Sequence, residues 1–219
     1  IDDAATRTYS IATAVPGLTF NADGSYSFDA SNAAYNSLKD GEAKLIVVPY
    51  TVTDDQGASA TANLSITVTG VNDAPVAVAD VKSANEDASV SGTVASNDSD
   101  PDTGATLTYS APTVAGLTFN NDGSYTFDAA NAAYQHLAAG ATQDVVVTYT
   151  VSDGTASSTA TLTITVTGVN DAPTAVNDTT SAVLEGAAAP LTGTVASNDS
   201  DIDDAATRTY SIATAVPGL

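Results

Sequence analysis

The sequence predicts an all-β protein made of tandem β-sandwich modules of about 100 residues each. Three observations predict it. Apolar residues alternate with Thr and Ser: Leu64, Ile66 and Val68 share one phase while Asn63, Ser65 and Thr67 share the other. Such a period of two marks a half-buried strand. The chain also repeats itself: Gly17 to Asp29 returns as Gly116 to Asp128, an offset of 99. Finally, Gly70-Val71-Asn72-Asp73-Ala74-Pro75 follows one alternating run, and Gly168-Val169-Asn170-Asp171-Ala172-Pro173 follows its counterpart. A fixed motif after each last strand reads as a joint between modules.

Taken in order, Leu18-Thr19-Phe20 and Tyr26-Ser27-Phe28 flank Asn21-Ala22-Asp23-Gly24, a hairpin-turn composition. Asp29 to Leu38 is Ala-rich, with Ala34 and Leu38 four apart, and predicts one short helical turn capped by Asp29, as by Asp128 in the next repeat. Val48, Tyr50 and Val52 alternate before Asp54, as do Val147, Tyr149 and Val151 before Asp153. Pro49 lies on the outward phase and has no N–H to donate, so its strand has an open edge there. Thr161 to Thr167 repeats the final strand with Leu162, Ile164 and Val166 inward. Strands at this spacing, separated by Gly, Asn and Asp turns, predict immunoglobulin-like sandwiches with a wet Thr/Ser face.

The repeats set the expected frame. Residues 1–70 are the back of one module, 71–168 a complete module, and 169–219 the front of a third. Ile1 to Leu18 is identical to Ile202 to Leu219, and Thr93 to Asp100 returns as Thr194 to Asp201. The out-of-phase frame and the identical ends suggest a window on a longer array rather than an autonomous protein.

Composition narrows function. The 219 residues include 26 acidic and 5 basic side chains, a formal charge of -21, and no Cys, Met or Trp. Such an acidic surface repels nucleic acid and anionic lipid, and no apolar run approaches membrane-spanning length, so no nucleic-acid partner and no membrane insertion are expected. Disulfides are excluded. Apolar content of 43% argues for folded domains. His136 is the only His and has Ser37 at its repeat position. With that single His, no Cys and no cleft-forming insertion, an enzyme is not expected.

The Asp residues cluster. Asp98, Asp100 and Asp102 alternate in one loop, Glu86-Asp87 lie in the first strand region, Asp153 ends the Tyr149 strand, and Asn72-Asp73 and Asn170-Asp171 form the joints. Short carboxylates at alternate loop positions suit calcium, which takes six to eight oxygens at roughly 2.3–2.6 Å. Turn chemistry alone is the competing explanation of the joint motif, since Asn, Asp and Pro are turn residues. The Asp23-Gly24 and Asp122-Gly123 pairs read as hairpin turns, and the Tyr as core packing.

Asn97 to Ser110, Tyr149 to Gly154 and Ile164 to Pro173 together resemble a cadherin-type repeat. The module resembles more closely the VCBS-type and cadherin-like repeats of giant bacterial surface adhesins, RTX-type proteins secreted by type I systems. The resemblance implies Ca2+ between modules: Asn72, Asp73, Asp98, Asp100 and Asp153 at the first joint, with Asp102 in the same cluster. At the second it implies Asn170, Asp171, Asp199 and Asp201, joined by Glu86 from the far end of the module, and Glu185 stands at the matching place in the third. The linker is shorter than Asp-x-Asn-Asp-Asn-Pro, and Gln143-Asp144 stands in place of an Asp-Arg-Glu triplet, which implies one or two ions per joint. The implied role is a calcium-stiffened extender at a bacterial cell surface, its partners being neighbouring repeats of the same chain. A filament or surface layer assembled from copies of the chain, and a glycan- or protein-binding module, are the alternatives. The identical ends favour the continuous array over complementing halves.

Overall fold

The computed structural model describes residues 6–187 and 189–213. The protein is all-β but for a single 3-10 turn at Ala33–Tyr35 among the described residues. The parts of the identical ends at residues 1–5 and 214–219 lie outside the described residues. The chain divides into two compact units, Ile1–Val78 with Ala95–Tyr109 and Thr150–Thr159, and Ala79–Val94 with Ser110–Tyr149 and Ala160–Leu219.

The first unit contains β1 (Thr8–Ile11), β2 (Leu18–Phe20), β3 (Tyr26–Phe28), β4 (Ala43–Thr53) and β5 (Ser59–Thr69). β4 and β5 form a long antiparallel hairpin from Ala43 opposite Thr69 to Thr53 opposite Ser59. Asp54 closes its turn by accepting the N–H of Gln56 at 3.0 Å and of Ala58 at 2.8 Å. β1 lies antiparallel on the other side of β4 but stops where Ile11 meets Tyr50. Pro49 therefore falls just beyond β1, where no ladder asks it for an N–H. β2 and β3 form the expected hairpin, with Gly24 at φ +85, a conformation glycine adopts without a Cβ penalty. Phe20 of β2 lies 6.0 Å, ring to ring, from Tyr50 of β4. Tyr35, Leu38 and Val68 are buried with Phe28 and Ile46 against them.

The second unit holds β6 (Asp80–Asn85), β7 (Ser89–Thr93), β9 (Leu117–Phe119) and β10 (Ser124–Asp128). The unit division falls within β8 (Thr108–Ser110), β11 (Thr142–Ser152) and β12 (Ser157–Thr167). One sheet runs β7-β10-β9, the other β6-β12-β11-β8. β6 is parallel to β12, Leu162 opposite Asp80 and Val166 opposite Ala84. Phe119 of the first sheet stacks on Tyr149 of the second at 6.3 Å, as facing sandwich layers require. Phe127, Val94, Val147, Tyr149, Leu162, Ile164 and Val166 are buried. The alternation read from Thr161 to Thr167 thus separates core from surface, and each buried aliphatic side chain contributes roughly 1.5–3 kcal/mol.

Two local expectations are corrected. The helical turn is capped by Asn32, whose carboxamide oxygen accepts the N–H of Ala34 at 3.1 Å. Asp29 instead takes the N–H and hydroxyl of Ser31, so it shapes the turn before the cap. In the next repeat Asn131 bonds Ala133 in the same way, and Asp128 accepts from Ala130. Glu86 and Asp87 lie in the turn after β6 rather than within a strand, Asp87 at φ 64. Residues 169–213 form no strand among those described, only a bridge between Thr174 and Ser200.

Candidate metal centre

Each joint begins with a glycine whose backbone is wedged against a preceding loop. A Cβ at Gly168 would stand 2.4 Å from the Ala138 carbonyl oxygen and 2.5 Å from that of Leu137; at Gly70 the matching oxygens, of Lys39 and Leu38, would be 2.2 and 2.4 Å away. The Gly168 N–H donates to Ala141 at 2.8 Å and its carbonyl accepts from Gly140 at 3.0 Å. Gly70 makes the same pair with Glu42 and Gly41. The glycine thus ties the end of the last strand to the loop after the helical turn, and the following Asn and Asp leave from a fixed point.

The first acidic site lies wholly in the first unit. Val76 and Ser99 exchange backbone hydrogen bonds of 2.7 and 3.1 Å, which lay the Asp-rich loop against the joint. Asp98 accepts the Val78 N–H at 2.7 Å, Asp100 that of Asp102 at 2.8 Å, and Asp102 that of Asp73 at 3.1 Å. The Asn72 carboxamide donates to the Asp73 carbonyl at 2.8 Å and to Asp153 at 2.9 Å. Asp153 also caps its own turn through the N–H groups of Ala156 and Thr155. The Ala156 N–H first, then Asn72 and Thr155, hold its carboxyl below the ordinary carboxylate value. Asn72, Asp73, Asp100, Asp102 and Asp153 are therefore linked by direct contacts, 81 residues separating Asn72 from Asp153, while Asp98 binds the joint through Val78.

The second acidic site lies wholly in the second unit and repeats this scaffold. Thr174 and Ser200 exchange backbone hydrogen bonds, Asp199 accepts the Val176 N–H at 2.7 Å, and Asn170 donates to the Asp171 carbonyl at 2.7 Å. Asp203 accepts the Asp171 N–H at 3.1 Å, and Asp201 accepts that of Asp203 at 3.1 Å. Glu86 reaches the same place from the other end of the repeat. Its N–H donates to Thr167 at 2.8 Å, and its carboxylate accepts the Val169 N–H at 2.9 Å. Glu86 is only 2% exposed.

One carboxylate oxygen from each of Glu86, Asp171 and Asp203 lies within 4.8 Å of the others. Glu86 Oε1, Asp171 Oδ2 and Asp203 Oδ1 are buried and have no hydrogen-bond donor among the described residues; Asp100 Oδ2 and Asp102 Oδ1 at the first site share this condition. Buried carboxylate oxygens without donors carry a heavy desolvation cost. Partial burial, then the charges of Asp87, Asp203 and Asp201, push the Asp171 carboxyl above its ordinary value. A hard cation would remove both penalties at once, supplying positive charge and taking the donor-free oxygens as ligands. The donor set, all oxygen with no Cys or His, fits calcium in kind.

Asp203 was absent from the sequence-derived ligand set, and so was the influence of Asp87. Asp203 stands at the repeat position of Asp102, 101 residues on, so the periodicity that found Asp199 and Asp201 carries its signal. Glu185 is exposed in a segment without strands, and no metal group among the described residues includes it.

Residues 72–168 match the bacterial cadherin-like domain family. No curated protein matches the chain in sequence. Among solved structures, the chain is similar to human CDH23 EC21-23, with 16% identity over 75% of this chain and 63% of that one, TM-score 0.47. Drosophila N-cadherin EC1-4 follows with 16% identity, 79% and 44% coverage and TM-score 0.45. The Protocadherin GammaB4 extracellular domain gives 16% identity, 79% and 29% coverage and TM-score 0.45. The chain thus spans between about three tenths and just under two thirds of the length of these three chains.

Proposed function

We propose that this chain is a run of extender repeats from a large bacterial surface adhesin, stiffened at its joints by calcium and projecting a distal binding domain. The observation that carries the reading is the carboxylate trio of Glu86, Asp171 and Asp203, each with one buried oxygen that lacks a donor. Glu86 comes from the front of the complete repeat, Asp171 from the joint that follows it and Asp203 from the Asp-rich loop of the next. Calcium there would cross-link segments that otherwise repel, with Asn170, Asp199 and Asp201 beside it. The equivalent residues Asn72, Asp73, Asp98, Asp100, Asp102 and Asp153 would serve the first joint. The cation would supply charge neutralisation; the chain's own residues fix where it binds, through the Val76–Ser99 and Thr174–Ser200 bridges and the wedged glycines.

The match of residues 72–168 to the bacterial cadherin-like domain supports both the module frame of 71–168 and an extracellular setting, where millimolar calcium saturates sites of roughly 0.1–1 mM affinity. Absence of Cys suits a chain exported unfolded, since no disulfide need form afterwards. In this reading the protein is a spacer, not an enzyme, and its partners are its own neighbouring repeats.

Calorimetric titration of the chain with calcium tests the proposal. Saturable binding whose second-joint component is lost in Asp203→Asn, together with a calcium-dependent rise in melting temperature, is expected. Unchanged melting and scattering profiles on chelation would sink it.

A further inference from the structure

Two non-glycine residues among those described hold a positive φ, Asp87 at 64 and Ala205 at 58. Both are neighbours of the second acidic site in the chain: Asp87 follows Glu86, and Ala205 comes two residues after Asp203. Asp87 is the third residue of a tight turn, closed by the Ala88 N–H on the Asn85 carbonyl at 3.2 Å. A turn with positive φ at its third residue is ordinarily built with glycine or asparagine there. The following repeat builds the same turn with glycine. Leu184-Glu185-Gly186-Ala187 stands at the place of Asn85-Glu86-Asp87-Ala88, 99 residues on. Its closing bond, from the Ala187 N–H to the Leu184 carbonyl, is again 3.2 Å, and Gly186 has φ 77. A Cβ at Gly186 would meet nothing within 4 Å, so the exchange of Asp for Gly is not a matter of space.

Asp87 therefore carries two costs that Gly186 does not. The first is steric, since a Cβ disfavours positive φ. The second is electrostatic. Glu86 is held by the Val169 N–H at 2.9 Å, two residues before Asp171, and Asp87 is next to it in the chain. After partial burial, the Asp87 charge is the largest influence that raises the Asp171 carboxyl, ahead of the charges of Asp203 and Asp201. An Asn at position 87 would take the turn as readily and add no charge. The carboxylate thus opposes the calcium-free fold twice over. Local strain of this kind clusters at functional sites, where the surroundings over-determine it. The site beside it holds an independent sign of a ligand: Glu86, 2% exposed, has a buried carboxylate oxygen without a donor, within the trio formed with Asp171 and Asp203.

We propose that Asp87 sets the calcium affinity of the second joint, as a carboxylate beside the cation held by Glu86, Asp171 and Asp203 that does not join them as a ligand. Asp87 is exposed, and it is not one of the three residues whose oxygens converge. Its action is through space. The attraction of one further negative charge scales with the charge of the ion, so Asp87 favours a divalent cation over the monovalent ions that compete for the site. The strain and repulsion that it adds to the empty joint are offset when the ion arrives. A module with Glu-Gly at this place, as at Glu185-Gly186, would form a weaker joint than one with Glu-Asp, and would loosen first as calcium falls. The inference rests on the calcium reading of the joint and assigns the residue that tunes it.

Calcium titrations of the full chain by calorimetry, beside thermal melts in chelator, test this with Asp87→Asn and Asp87→Gly. Asn keeps the turn and removes the charge; Gly removes both the charge and the steric cost. Because Asp87 is exposed, neither substitution disturbs the core. Both variants are expected to weaken, by about three- to tenfold, the binding component that Asp203→Asn abolishes, and to leave the remainder unchanged. In chelator both should melt no lower than the parent chain, with Asp87→Gly the highest. The weakening should shrink in about 1 M monovalent salt, where the Debye length is about 3 Å. Unchanged affinity in both variants, a weakening that salt leaves intact, or a lower melt in chelator overturns the proposal and leaves the calcium reading standing. A parent chain that lacks the component removed by Asp203→Asn overturns the calcium reading, and this inference with it.

Discussion

At the scale of single residues, the acidic side chains divide by their partners. Asp23 and Asp122 accept the N–H and the hydroxyl of Ser25 and Ser124, and these bonds, the hydroxyl foremost, lower both carboxyls. Asp153 is lowered by backbone and Asn72 donors. Asp171 is raised by burial and by neighbouring carboxylates. The signs of their linkage to folding are opposite. The stability from Asp23, Asp122 and Asp153 is present above the ordinary carboxylate value and is lost as pH falls through their lowered folded values. The contribution of Asp171 in calcium-free protein is present below that value and is lost as pH rises through its raised one. A carboxyl-carbon NMR titration without calcium should therefore show Asp171 titrating above Asp153; the reverse order would contradict the clustering. Added calcium should reverse the pattern at Asp171 by holding it ionised. Asp203→Asn should weaken calcium binding and make the calcium-free chain no less stable, since it removes one member of a self-repelling trio; calorimetry and thermal melts read both.

Among elements, the two long hairpins provide an internal control. β4–β5 and β11–β12 have the same length and pattern, but among the described residues only β12 is covered by a parallel strand. Ile164→Ala should cost about 2–5 kcal/mol, the range for emptying a sealed core site, and Ile66→Ala distinctly less, because its site is already half open. Urea melts of the two variants compare them directly. The joint glycines give a second contrast. Gly168→Ala should lose about 1–3 kcal/mol by overpacking against the Leu137 and Ala138 carbonyls, whereas Gly193→Ala, with nothing within 4 Å, should be nearly neutral. Equal losses would mean that the glycine at the joint is not held by the wedge.

For the whole molecule, calcium is expected to act as a ligand of the native state. At 100 times its dissociation constant, one site would add about 2.7 kcal/mol of stability. Chelation should lower the melting temperature and broaden the small-angle scattering distribution of chain dimensions, because like charges then face one another without a counterion. High monovalent salt should offset part of the loss by screening, over a Debye length of about 3 Å at 1 M.

The all-β class, the strand phases, the hairpin turns and most of the acidic residues were legible in the sequence. Each is a local or periodic property, and period-two alternation and Asx-Gly turns act over a few residues. The repeat extended that legibility to the joints, since two copies of one motif mark their own boundaries. What the sequence by itself determined is therefore the kind of element and the kind of chemistry: Thr/Ser-faced strands and clustered carboxylate oxygens without sulfur or imidazole. Only the tertiary structure decided which carboxylates meet. Glu86 joins Asp171 and Asp203 because β6 runs parallel to β12, carrying Glu86 to the end of that strand and onto the Val169 N–H. Only it decided that Leu64 and Leu162, identical in local pattern, differ in burial. Burial depends on which strand lies on the outer edge, and that is a long-range pairing no local pattern encodes.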